Sequence, residues 1–218
     1  STTYSITGGA TVSNATAATT LNDTNTYTIK VTTIDNAGNS ATRTQIVKID
    51  KEAPTAPEIT NPSNGAWTNG NVTITAKSTD AHSGIDKIEW YENGAWTTRA
   101  LTTTDGTGVI TYTADRNETI RFRAVDKVGN VSAEATTIVK IDKTAPTTVA
   151  PTASKTTKSI TVTCNQTDGL SGINASTKQY AIYKNGAWSA WQTSNVFNNL
   201  TSGKEYQVKT KVSDNAGN

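Results

Sequence analysis

Methionine is absent from this 218-residue chain, histidine and cysteine occur once each, at His82 and Cys164, and phenylalanine occurs twice. A single cysteine rules out an intrachain disulfide, the staple on which many small extracellular domains depend. A single histidine rules out a histidine-built zinc cluster or a Ser–His–Asp triad repeated along the chain. Leucine is scarce too, which disfavours long helices. No run of about 18 apolar residues exists to span a membrane as a helix. Charge is sparse and balanced: 17% of residues are charged, 20 basic against 18 acidic, for a net +2. That balance lacks the electrostatic footprint of a nucleic-acid binder. Glycine-rich phosphate loops, nucleophile elbows and a distinct pair of catalytic carboxylates are also missing, so the sequence argues against an enzyme.

What is present is repetition. Asp-Asn-Ala-Gly-Asn stands at Asp35–Asn39 and Asp214–Asn218, with Asp-Lys-Val-Gly-Asn at Asp126–Asn130 between them, a spacing of 91 and then 88 residues. Lys-Ile-Asp-Lys followed by Ala-Pro-Thr begins at Lys48 and again at Lys140, and Ser-Gly-Ile recurs at Ser83 and Ser171. A period near 90 residues is the size of one small β-sandwich. Abundant threonine and asparagine suit strands and turns.

The repeat predicts three modules: residues 1–50, a complete module at 51–142, and 143–218. Within the middle module, strict alternation marks strands at 71–77, where Val72, Ile74 and Ala76 share one face, and at 86–92, with Ile88 and Trp90. Further strands are expected at 95–101, 108–114, 118–125 and 131–141, with turns at Asn93-Gly94 and Asp126–Asn130. In module three Val162 and Cys164 repeat Ile74 and Ala76, so Cys164 is expected to be a small buried hydrophobe. Tyr27 and Tyr206 each stand near the start of the strand that runs into their Asp turn, a place that in β-sandwiches of this kind is taken by a tyrosine-corner residue; module two has Glu118 there instead. The same arithmetic has module one entering at its third strand and module three stopping before its last, as in a window on a longer array. Were the window complete, its open edges would invite end-to-end strand addition.

In their fixed order, the Ser-Gly-Ile segment, the Asn-Gly-Ala-Trp turn, the Asp-x-x-Gly-Asn turn and the Ile-Asp-Lys-x-Ala-Pro junction resemble the tandem bacterial immunoglobulin-like and fibronectin type III-like repeats of large surface proteins. The resemblance implies an all-β fold of antiparallel Greek-key sandwiches in an extended rod. It also implies an extracellular or bacterial cell-surface location, with a phage virion as the alternative; the shortage of cysteine agrees with a bacterial surface protein.

Three groups of residues are candidate sites. Asp35, Asp126 and Asp214 in the turns, with Asp50 and Asp142 in the junctions, are hard oxygen ligands of the kind that bind calcium, and Asp80 or Asp168, near the Ser-Gly-Ile segments, is a further contributor to the same reading. Turn chemistry explains the same residues without a metal: Asp caps its turn, Gly takes a positive φ, and Asn tolerates the left-handed region. Trp96 and Trp188, each after an Asn-Gly-Ala turn, are candidates for stacking on a glycan if exposed, and covers of the sandwich if buried. His82, in a polar loop, is expected to be solvated. The proline-bearing junctions at Pro54, Pro57 and Pro146 predict semi-rigid links. The expected function is a spacer or stalk within a multi-module extracellular fibre or adhesin, partnered by neighbouring modules, without a cofactor. The alternatives are a glycan- or host-protein-binding module, or an accessory domain of a secreted hydrolase.

Overall fold

The computed structural model describes residues 1–9, 11–99 and 105–218, and those residues form strands and turns with no helix. Strands β1 (Thr2–Thr7), β2 (Val12–Ala15), β3 (Asn25–Ile34) and β4 (Ser40–Ile49) make one antiparallel sheet ordered β2-β1-β3-β4. Then come β5 (Glu58–Thr60), β6 (Trp67–Thr68), β7 (Val72–Lys77), β8 (Ile85–Glu92), β9 (Ala95–Arg99), β10 (Thr107–Tyr112), β11 (Arg116–Asp126) and β12 (Ala135–Ile141). They form two sheets, ordered β10-β7-β5 and β6-β12-β11-β8-β9. Last are β13 (Thr152–Lys155), β14 (Ile160–Thr163), β15 (Ile173–Lys184), β16 (Ala187–Trp188), β17 (Val196–Phe197) and β18 (Gln207–Asp214), in sheets β13-β14-β17 and β16-β15-β18. These are immunoglobulin-type orders: a short sheet of early strands, and a second sheet that alternates early and late ones. The short β6 pairs in parallel with β12, Lys140 opposite Trp67.

The chain divides into two compact units, Ser1–Thr60 with Thr75–Val109 and Arg121–Thr136, and Asn61–Ile74 with Ile110–Ile120 and Thr137–Asn218. In the first unit, the sheet of β1 to β4 buries only Ile6 and Tyr27. The Tyr27 hydroxyl donates to the Asp23 carbonyl at 3.1 Å, the corner hydrogen bond that fixes entry into β3. The remaining core of this unit follows from alternation: Trp90 faces Phe122 and Ile88 faces Ala124 across β8 and β11, all buried. Each large apolar side chain buried this way contributes roughly 1.5–3 kcal/mol.

The second unit buries Val72, Ile74, Ile110, Tyr112, Val139 and Ile141, and a cluster of Val162, Tyr180, Ile182, Phe197 and Leu200. Cys164 is buried and its thiol donates to the Val149 carbonyl at 3.3 Å, the small-hydrophobe role expected of it. The Tyr206 hydroxyl is used the other way round from that of Tyr27: it accepts the backbone N–H of Thr201 at 3.0 Å.

Three strand expectations change. β5 and β6 were not foreseen, because three and two residues are too few to show alternation. The last strand of the middle module begins at Ala135, not Val131, which makes only an isolated bridge to Val125. The strand expected at 95–101 is described as Ala95–Arg99, and Leu101 lies outside the described residues.

Candidate functional site

Each Asp-x-x-Gly-Asn turn is built around its first carboxylate. Asp126 Oδ1 accepts the backbone N–H groups of Val128, Gly129 and Asn130 at 2.9, 2.7 and 2.8 Å. Three donors can converge only if the chain curls tightly, which is why residue 129 is glycine, at φ +100°. Asp214 repeats the arrangement with Ala216, Gly217 and Asn218. Asp35 accepts from Ala37 and Asn39 at 2.8 Å each. One part of the expected turn chemistry is corrected: the closing asparagines are not among the residues with positive φ. They are there for their side chains. The Asn130 amide donates to Asp126 Oδ2 at 2.7 Å and to the Asp50 carbonyl at 3.3 Å. Asn218 donates to Asp214 Oδ2 and to the Asp142 carbonyl, both at 2.8 Å.

The Ser-Gly-Ile segments are held by a second aspartate. Asp80 Oδ1 accepts the N–H groups of His82, Ser83 and Gly84, and Asp168 Oδ1 those of Leu170 and Gly172. The junction aspartates close the arrangement: Asp50 Oδ2 accepts the Ser83 N–H at 3.0 Å, and Asp142 Oδ2 the Ser171 N–H at 2.9 Å.

The three elements thereby bring three carboxylates together, twice. One oxygen each from Asp50, Asp80 and Asp126 lie within 4.8 Å of one another, and so do oxygens of Asp142, Asp168 and Asp214. Asp126, Asp142 and Asp214 are almost wholly buried, at 2%, 0% and 1% exposure. Among the described residues, no lysine, arginine or histidine pairs with any of the six. Burial pushes Asp126 and Asp142 up, but donors from Asn130 and from Ser171 outweigh it and hold both below the usual carboxylate range. Asp50 is lowered chiefly by Ser83, while the neighbouring Asp126 charge opposes the shift. Each cluster therefore gathers negative charge in a site whose donors are N–H groups rather than cations. Oxygen-only sites of this kind suit a hard cation such as calcium, and not a thiophilic or imidazole-seeking metal. Of the sequence candidates, the structure joins Asp50 with Asp80 and Asp126, and Asp142 with Asp168 and Asp214. Asp35 is exposed and joins no cluster among the described residues.

Trp96 and Trp188 both stand on the outer side of a hairpin. Trp96 packs edge-on against Tyr91, ring centroids 5.5 Å apart, with the Arg123 guanidinium 4.2 Å over its ring. Trp188 is more open, packs edge-on against Tyr183 at 5.5 Å, and carries the Lys209 ammonium at 4.3 Å. Trp191 was not singled out from the sequence; it is equally exposed and lies 5.0 Å from the same ammonium. A second aromatic three residues after the repeated Asn-Gly-Ala-Trp turn was the available signal. His82 sits 3.3 Å from Glu52 at the surface.

Residues 56–162 match the bacterial Ig domain family. The chain is 33% identical over 245 residues to exoglucanase B of Cellulomonas fimi; the match takes in 99% of this chain but 22% of that protein, so the chain spans about a fifth of its length. Among solved structures it is similar to the fibronectin(III)-like modules of Clostridium thermocellum CbhA, at 17% identity and TM-score 0.36 over 64% of this chain and 77% of that one. It is also similar to part of a 1.5-MDa bacterial ice-binding adhesin, at 14% identity and TM-score 0.40, over 98% of this chain and 85% of that one.

Proposed function

For a chain of tandem bacterial immunoglobulin-like, fibronectin III-like modules, we propose the role of a spacer in a larger extracellular or cell-surface protein, as modules running over 1–50, 51–142 and 143–218. The observation that carries this reading is the clasp made twice over: one asparagine ties a junction carbonyl to the turn of the following module, at Asp50–Asn130 and again at Asp142–Asn218. A junction hydrogen-bonded in this way, and followed by Ala-Pro, has little slack. The chain is read as non-catalytic, and the exoglucanase relative is consistent with an accessory segment beside a catalytic domain. Stretching the 218-residue chain in optical tweezers tests the proposal. A spacer yields in discrete steps, with no soft extension before the first; smooth extension at low force would overturn it.

The two tri-aspartate clusters support a further element of the same reading, that each holds one calcium ion and stiffens its junction when loaded. Isothermal titration of the chain with calcium should show two sites, which lose heat on Asp126→Asn and Asp214→Asn. Absence of heat at millimolar calcium would refute the ion and leave the clasp intact.

A further inference from the structure

The outer face of the β15-β16-β18 sheet presents Tyr183, Trp188 and Trp191 at 37%, 39% and 37% exposure, three of the largest apolar side chains left open anywhere in the described residues. Two lysines stand among them. Lys209 Nζ lies over both indoles, and Lys211 Nζ lies 4.8 Å from the centre of Trp191. Clustered exposed aromatics of this kind mark interaction surfaces more often than packing accidents.

The corresponding face in the middle module shows what self-contained packing looks like. There Arg123, over Trp96, stands opposite Glu89 on β8 and donates to it at 2.7 Å; Lys87 reaches the same carboxylate at 2.9 Å. Arg121 is likewise held by both oxygens of Glu134. Those cations are neutralised within the protein.

In β15 and β18 the position opposite Lys209 is Ala181, and the position opposite Lys211 is Gln179. A methyl group stands where Glu89 closes the face in the middle module, and a neutral amide stands opposite the second lysine. Among the described residues neither lysine has a carboxylate partner within 4.0 Å. An ammonium over an indole keeps most of its charge available to a second, anionic partner, while the rings beside it offer apolar faces.

We propose that this face binds an acidic polysaccharide, with carboxylated pyranose rings stacking on Trp188 and Trp191 and their carboxylates meeting Lys209 and Lys211. Indole faces match the C–H faces of sugar rings, and two uncompensated ammonium groups select an acidic ring over a neutral one. A single-stranded nucleic acid uses stacking and cations too, but it needs a basic track along its backbone, and this chain has a net charge of only +2. The proposal goes beyond the spacer reading and does not rest on it.

Affinity electrophoresis of the 218-residue chain tests it, with polygalacturonate, hydroxyethylcellulose or oligothymidylate cast into the gel. Retardation by polygalacturonate is expected, with at least tenfold weaker binding for the double variant Lys209→Gln, Lys211→Gln, whose surface changes leave the core untouched, and for Trp191→Ala. Trp96→Ala should bind as the parent does. The proposal is overturned by no retardation in polygalacturonate, by retardation that the lysine variant retains, by equal retardation in hydroxyethylcellulose, or by tighter binding to oligothymidylate.

Discussion

The side-chain amide of Asn130 bridges two groups 76 positions apart in sequence, donating to the Asp126 carboxylate at 2.7 Å and to the backbone carbonyl of Asp50 at 3.3 Å. Asn218 makes the same bridge between Asp214 and Asp142. Replacing Asn130 by alanine removes both bonds and strips a donor from a buried carboxylate. The expected cost is about 1–3 kcal/mol, read as a lower urea midpoint with an unchanged slope. Asn39→Ala, whose side chain reaches only the exposed Asp35, should shift the midpoint much less.

Acid should undo these clusters. In the folded chain Asp126 and Asp142 have pKa values below the usual carboxylate range, because N–H donors outweigh the burial that opposes them. A depressed folded pKa stabilises the protein above the unfolded value of about 3.9, and that stabilisation is lost as pH falls through the lower folded value. Thermal melts without divalent ions should therefore be nearly flat from pH 5 to 8 and drop steeply below about pH 4. Asp126→Asn should flatten the acid limb; a limb as steep as the parent's would place the titration elsewhere.

Loading the proposed calcium sites should raise the melting temperature. A ligand at a hundred times its dissociation constant adds about 2.7 kcal/mol per site, and for domains of this size each kcal/mol shifts the midpoint by about 4–8 °C. Scanning calorimetry with excess calcium against excess chelator reads the difference, which should shrink in Asp80→Asn and in Asp168→Asn, each of which removes one ligand from one cluster.

Glu89 is a buried acid that answers two cations, Arg123 and Lys87. Burial raises its pKa, and its bonds to Lys87 and Arg123 more than offset that rise. Glu89→Ala leaves Arg123 without its partner beneath Trp96, at an expected cost of about 1–3 kcal/mol. Glu89→Gln should recover part of that in the same denaturation experiment. Equal losses for both variants would mean that charge, not packing or the hydrogen-bonding shape, is what Glu89 supplies.

Much of this was legible in the chain because it is local. Val72, Ile74 and Ala76 alternate inward and are buried as alternation requires, and Asn93-Gly94 and Asn185-Gly186 form tight turns with both residues at positive φ. The aspartate clusters were only half legible. Asp50 and Asp126 carry obvious motifs, but their closure through Asp80 depends on a loop folding back across some thirty residues of intervening chain. Ala181 opposite Lys209 was invisible for another reason. The Asn-Gly-Ala-Trp turn fixes the register of β15 with β16, whereas β15 meets β18 across an irregularity between Asn174 and Gln179. That irregularity moves Lys209 to the place that Arg123 holds in the middle module, and no spacing rule within either strand reports it.

The bond from Asn130 to the Asp50 carbonyl closes a loop of about eighty residues in a chain that has no disulfide. A covalent bridge across such a loop, once reduced, needs an oxidant before it can form again. An amide and a carbonyl need only to meet. A segment fastened this way can be torn open under load and refasten within the time the fold takes to return, with no oxidant consumed in the repair.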